Sequence, residues 1–209
     1  MSQWTRGQHV LLVGSTGTGK TTLARKLVEL RAYTIMLQSK PDDLSYPRWR
    51  EVKTCSKIRI PKDDENESRW RLYPKYEDQR EEFIKVLRRA WSEGGWCIYL
   101  DELFYLEDYL GLRSEIVKLL SQGRSKAISV VAAIQRPAWV NRFSLSEITH
   151  ILCARMGDTR DLKTIQEVTS AEYVARVPKL EKYQFLYMDK GKGSIETVNK
   201  DTVQEVLGG

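Results

Sequence analysis

The sequence predicts an α/β protein. A mainly parallel central sheet is flanked by helices, and short antiparallel strands follow at the C-terminal end. Three observations lead there. Apolar runs alternate with segments of helical period along the first 170 residues. Those runs are almost unbroken, as strands buried on both faces require. The first of them leads into a glycine-rich turn and then a helix.

The elements follow in order. His9-Val10-Leu11-Leu12-Val13 reads as the first strand. Residues 20–31 form a helix with Leu23, Leu27 and Val28 on one face. Tyr33–Leu37 is the second strand, stopped by Pro41. Residues 41–75 hold further prolines at 47, 61 and 74, the acidic run Asp63-Asp64-Glu65, and two strand candidates at 57–60 and 69–73. They read as an insertion or peripheral element. Residues 76–93 are helical, with Phe83, Ile84, Leu87 and Trp91 as the buried stripe, and Gly94-Gly95 ends them. Trp96–Leu100 is a strand. Leu112, Ile116, Leu119 and Leu120 mark a helix that finishes near Gly123. Ile128–Ile134 is a strand, closed by Gln135-Arg136-Pro137. A strand at 149–154 and a helix at 159–168 come next. Residues 170–209 suggest short antiparallel strands turning at Gly191-Lys192-Gly193.

Composition bounds the function. The 209 residues suit one domain, 1–209. A hydrophobic fraction of 41% beside 30% charged residues argues for a globular protein and against disorder. No run approaches the length of a membrane span, and the N-terminus lacks a signal-peptide core, so a cytoplasmic location is expected. Thirty-four basic against 28 acidic residues give +6, a lean towards polyanionic partners. Cys55, Cys97 and Cys153 have no pairing pattern, and Cys97 and Cys153, which sit inside apolar runs, read as core residues. His9 and His150 show no metal-binding spacing.

Gly14-Ser15-Thr16-Gly17-Thr18-Gly19-Lys20-Thr21 matches the phosphate-loop pattern, and Thr22 follows it. Its glycines let backbone N–H groups turn towards phosphate oxygens, and the helix adds its positive end. Lys20 is placed for the β and γ phosphates of ATP, and the Thr21 hydroxyl for Mg²⁺. The plainer reading is a glycine-rich turn with an accidental lysine. Asp101 and Glu102 end the strand 96–100, the Walker B arrangement. Asp101 would hold the Mg²⁺ hydration shell, and Glu102 would orient and polarise the attacking water. Acids opening a helix would look the same. Together these motifs resemble those of a P-loop NTPase core of the RecA-like, ASCE type, which is the fold they imply.

Gly123-Arg124-Ser125-Lys126-Ala127-Ile128, the strand ending in Gln135-Arg136-Pro137, and the later Ile151–Arg155 run make residues 9–165 resemble the FtsK/HerA superfamily of DNA-pumping ATPases. The short form resembles viral genome-packaging ATPases. The resemblance implies a homo-oligomeric ring, a hexamer, that moves double-stranded DNA. It works in the host cytoplasm or on a virion, with a capsid or portal component as a further partner. Carried over by position, Arg124 reaches the neighbouring subunit's nucleotide, Gln135 senses the γ-phosphate, and Arg155 follows the next strand. Plainer readings make Gln135 a strand cap, Arg124 a surface cation and Arg155 an ion-pair partner. Nothing in the chain resembles the larger relatives' membrane anchor or winged-helix DNA reader.

DNA-contact candidates are Arg48-Trp49-Arg50, Arg69-Trp70-Arg71, Lys190, Lys192 and Lys200. Solvated surface explains them equally. The sequence assigns Trp139 no role beyond packing. Three other functions remain open: a conjugation or DNA-repair translocase, a P-loop kinase, and a nucleotide switch. A kinase would carry an arginine-rich lid, and a GTPase an N-K-x-D base reader. Asn199-Lys200-Asp201 lacks the spacer.

Overall fold

The computed structural model describes residues 4–39, 49–59 and 67–208. Among them nine strands form one sheet: β1 (Val10–Val13), β2 (Tyr33–Leu37), β3 (Arg50–Val52), β4 (Ser68–Leu72), β5 (Cys97–Leu100), β6 (Ser129–Ile134), β7 (His150–Ala154), β8 (Phe185–Asp189) and β9 (Ser194–Val198). Their order is β3-β4-β2-β5-β6-β1-β7-β8-β9. The strands from β3 to β7 in that order pair in parallel, and β8 and β9 are antiparallel. The seven described helices are α1 (Lys20–Val28), α2 (Gln79–Glu93), α3 (Arg113–Gln122), α4 (Arg142–Ser146), α5 (Thr159–Val168), α6 (Ala171–Arg176) and α7 (Val203–Gly208).

Strand residues alternate between two cores, as the period of two demands. Leu11, Val13, Ile35, Leu37, Ile98 and Leu100 join the core under α2 and α3. Val10, Leu12, Met36, Cys97 and Tyr99 join Leu23 and Leu27 of α1 and Val203 and Leu207 of α7. All three cysteines are free and buried. Burial pushes the thiols of Cys97 and Cys153 up to about 12.

Several expectations change. Residues 57–59 form no strand; Cys55–Lys57 is a 3₁₀ turn, and the strand lies earlier, at β3. β3 and β4 extend the main sheet beyond β2. The C-terminal segment carries two helices beside its strands. Ser170 opens α6 by accepting from Tyr173 N at 3.1 Å. The buried Tyr173 hydroxyl then donates to Leu186 O at 2.6 Å and accepts from Cys153 N at 3.2 Å, tying α6 to β7 and β8. Pro41, Pro47, Pro61 and the acidic run 63–65 lie outside the described residues.

Two histidines pin the N-terminal segment beneath the sheet. His9 Nδ1 accepts from Val130 N at 3.0 Å, and its Nε2 donates to Leu120 O at 2.9 Å. His150 Nδ1 accepts from the Tyr187 hydroxyl at 3.0 Å, and its Nε2 donates to Gln8 Oε1 at 3.0 Å. Burial pushes both imidazoles down from 6.5 to about 4. The unfolded chain therefore binds protons that the folded chain refuses between those values. Stability should be intact above about pH 6.5 and fall towards pH 4, by up to about 3 kcal/mol per histidine. The carboxylates of Glu82 and Glu115 are held below their usual range, so their loss comes at lower pH. Urea midpoints measured between about pH 7 and pH 5 should fall; a flat profile would show that these rings are not held neutral.

Candidate nucleotide-binding and hydrolysis site

β1 ends at Val13, and Gly14 N donates to Ile134 O of β6 at 3.1 Å, so the phosphate loop starts tied to its neighbour strand. Gly14 has no room for a side chain: a Cβ there would lie 2.7 Å from Thr18 Oγ1 and 2.8 Å from Ala154 Cβ. Gly19 caps α1 at φ 92°, a left-handed conformation suited to glycine. Lys20 Nζ donates to Gly14 O at 2.6 Å and Ser15 O at 2.9 Å, so the lysine arches over its own loop. Thr18 Oγ1 donates to Ser15 O at 2.8 Å and closes the turn.

The sheet order decides what meets at this loop. β6 lies between β1 and β5, so the acidic pair after β5 stands two strands from the loop, about 10 Å away. Gln135, at the end of β6, spans the gap. Thr16 Oγ1 donates to Gln135 Oε1 at 3.1 Å, and Gln135 Nε2 donates to Glu102 Oε2 at 2.7 Å. One amide thus joins the loop to the second acid. Arg136 beside it is fixed by Asp158 and Asp161, each at 2.9 Å, at the start of α5. This anchors the strand end that carries Gln135.

Asp101 is buried and accepts from the Tyr99 hydroxyl at 3.0 Å. Its carboxylate and the Thr21 hydroxyl in the first turn of α1 are hard oxygen donors, the kind Mg²⁺ takes. No cluster of three histidine, cysteine or acidic side chains exists among the described residues. Phe104 packs at 5.4 Å, tilted by 50°, against Trp139, which is largely exposed and also lies under Arg136. A π-helical turn at Tyr105–Tyr109 follows, a feature frequent at functional sites.

Arg155 is exposed after β7 and lines, with Ser15–Thr18, Glu181 and Tyr183, a cavity of about 690 Å³. Arg124 lies elsewhere. It sits exposed on the 3₁₀ turn Gly123–Lys126, at the start of β6, whereas the loop is at strand ends. Six residues of β6 separate it from Gln135, about 20 Å. Tyr183 went unnoticed in the sequence. It belongs to an irregular loop with no periodicity to mark it, yet its ring lies against Gly19.

The basic-aromatic candidates fare unevenly. Arg69-Trp70-Arg71 is structural: Arg69 is buried against Glu67 and Glu29 O, Trp70 is 4% exposed, and Arg71 pairs with Glu51. Trp70 belongs to the core that Ile35, Leu72 and Phe83 share, and the arginines on the other face of β4 are held by their acidic and carbonyl partners. Arg48 lies outside the described residues; Trp49 is half-buried and Arg50 exposed. Lys190 donates to Ser146 O at 2.9 Å, while Lys192 and Lys200 are exposed. No described helix is long and apolar enough to cross a membrane.

No family model matches the chain. It is 28% identical over 196 residues to the DNA packaging ATPase P9 of Enterobacteria phage PRD1, covering 88% of this chain and 83% of that protein. Its fold matches the genome packaging NTPase B204 of Sulfolobus turreted icosahedral virus 2, in complex with AMP, at a TM-score of 0.70. That match has 18% identity and covers 91% of this chain and 96% of the other. The conjugation coupling protein TcpA of pCW3 matches less well, at a TM-score of 0.55 and 15% identity over 93% of this chain and 60% of that one. The resemblance to viral genome-packaging ATPases read from the motifs therefore stands on a relative in sequence and on neighbours in fold.

Proposed function

We propose that this chain is the ATPase of a viral genome-packaging motor, coupling ATP hydrolysis in a homo-oligomeric ring to movement of double-stranded DNA. One observation carries the reading: the hydrogen-bonded chain from Thr16 through Gln135 to Glu102. It links a phosphate-binding loop, a strand-end amide and a carboxylate in the order that hydrolysis of a γ-phosphate needs. The similarity to a phage packaging ATPase supports the DNA substrate. Neighbours of conjugation type match the fold more weakly.

The loop amides and Lys20 hold the β and γ phosphates. Mg²⁺, held by Thr21 and Asp101, would neutralise charge on the phosphate oxygens. Glu102 accepts a proton from the attacking water, whose oxygen forms the new bond to the γ-phosphorus as the bond to the ADP oxygen breaks. Gln135 orients Glu102 and reports the γ-phosphate to the loop. Arg155 rims the cavity on the β7 side of the loop, beside Ser15–Thr18. The ring subunits, arranged as a hexamer, pull DNA by its phosphates and dock on a capsid or portal component.

Hydrolysis measured with and without duplex DNA tests this reading. Free phosphate should be the product, and DNA should raise the rate. DNA binding by the assembled protein should ignore sequence and weaken with salt, log K falling by about 0.9 per decade of salt for each phosphate contacted. A phosphorylated acceptor in place of free phosphate would establish the kinase reading, and a flat salt response would remove the DNA substrate.

A further inference from the structure

We propose that Tyr183 is the stacking face for the nucleobase, in a seat between the start of α1 and the loop before β8. The proposal rests on the phosphate-loop reading and adds the other half of the nucleotide. Glu102 and Gln135 lie on the β5–β6 side of β1 and mark the γ-phosphate end. The nucleoside must then leave the loop on the opposite side, past Thr21 and Thr22, towards β7 and β8. A cavity of about 360 Å³ opens there, lined by Gly19, Thr22, Leu23, Tyr183, Phe185 and Lys200. Two aromatic rings and a leucine with a few polar groups at the edge are the lining expected of a small-molecule seat, and the volume fits one.

Tyr183 stands apart from its neighbours. It is 54% exposed, while Phe185 is 1% exposed. Its backbone has φ 65°, an outlier for a bulky residue. Its ring lies so close to Gly19 that a Cβ at that glycine would be 3.2 Å from Cδ1. An aromatic ring is thus held in solvent against the turn that ends the phosphate loop. A base laid on it would be desolvated on one face, and every base offers a π-face.

Paired titrations with ATP and with inorganic tripolyphosphate test this. Tyr183→Gly removes the ring and suits the positive φ, so the fold should hold; Tyr183→Asn also tolerates that φ and provides a second variant. Both should bind tripolyphosphate as the wild type does and lose roughly 5- to 150-fold in ATP affinity, the range for base–aromatic stacking. Tyr183→Phe should keep ATP affinity. Unchanged ATP affinity in Tyr183→Gly would overturn the proposal. So would an equal loss for both ligands, which would mean that the ring only props the loop, or a Phe variant as weak as the Gly variant. Lys20→Ala separates the two readings. It should weaken both ligands, and if it binds both normally, it is the phosphate-loop reading that fails.

Discussion

Glu102→Gln should bind ATP as tightly as the wild type and hydrolyse it about 10²- to 10⁴-fold more slowly, the contribution of a positioned general base. The geometry makes the substitution a clean one. Gln135 Nε2 donates to Glu102 Oε2 at 2.7 Å, and an amide oxygen in the same place could still accept that bond. The link to Thr16 and the loop would survive, while the group that takes the proton is lost. Gln135→Ala does the reverse: it keeps the carboxylate and removes its tether, so its rate should fall less. Asp101→Asn should instead raise the Mg²⁺ concentration needed for half-maximal rate. A fluorescent ATP analogue separates binding from turnover, which phosphate release measures. Wild-type turnover in Glu102→Gln would place water activation on another residue.

The residues in this chain of contacts differ in how visible they are in the sequence. The phosphate loop is contiguous, and each residue type in it answers a local need: turns without a Cβ at Gly14 and Gly19, a cation at Lys20, a hydroxyl at Thr21. Asp101 and Glu102 are legible for the same reason, as the end of an apolar strand. Their connection is not. It depends on β6 lying between β1 and β5, and on Thr16 meeting Gln135 across a strand order that no run of residues spells out. The same blindness explains Arg69-Trp70-Arg71, which looks like an exposed basic patch until Trp70 joins the core and Glu67, Glu29 O and Glu51 take up the guanidinium groups. Helices α6 and α7 have six residues each, too few to show an apolar period. The Ser170 cap was a readable signal for α6. For Tyr183 there was none, because its meaning lies in facing Gly19 across the fold.

Arg124→Ala should bind ATP nearly as well as the wild type yet hydrolyse it about 10³- to 10⁵-fold more slowly, as loss of a transition-state guanidinium does. The fold excludes a role within its own subunit. Arg124 precedes β6, Gln135 ends it, and the strand between them is about 20 Å long, beyond any side chain's reach. The arginine's surroundings also suit presentation outward. The backbone of its turn is crowded by Gly7, where a Cβ would lie 2.9 Å from Arg124 Cα, while the side chain is exposed. His9 fixes Leu120 on one side of the turn and Val130 on the other. A rigid turn with an exposed guanidinium can serve a neighbour's site, and a mixture of variants tests that directly. Glu102→Gln lacks a working base but still offers its arginine; Arg124→Ala has a complete site but offers none. Labelled protein must first show that subunits exchange. Mixed, the two should recover activity at interfaces where a Glu102→Gln subunit presents its arginine to an Arg124→Ala subunit. Activity that stays at the level of the separate variants at every ratio, with exchange demonstrated, would mean that Arg124 serves no neighbour's site.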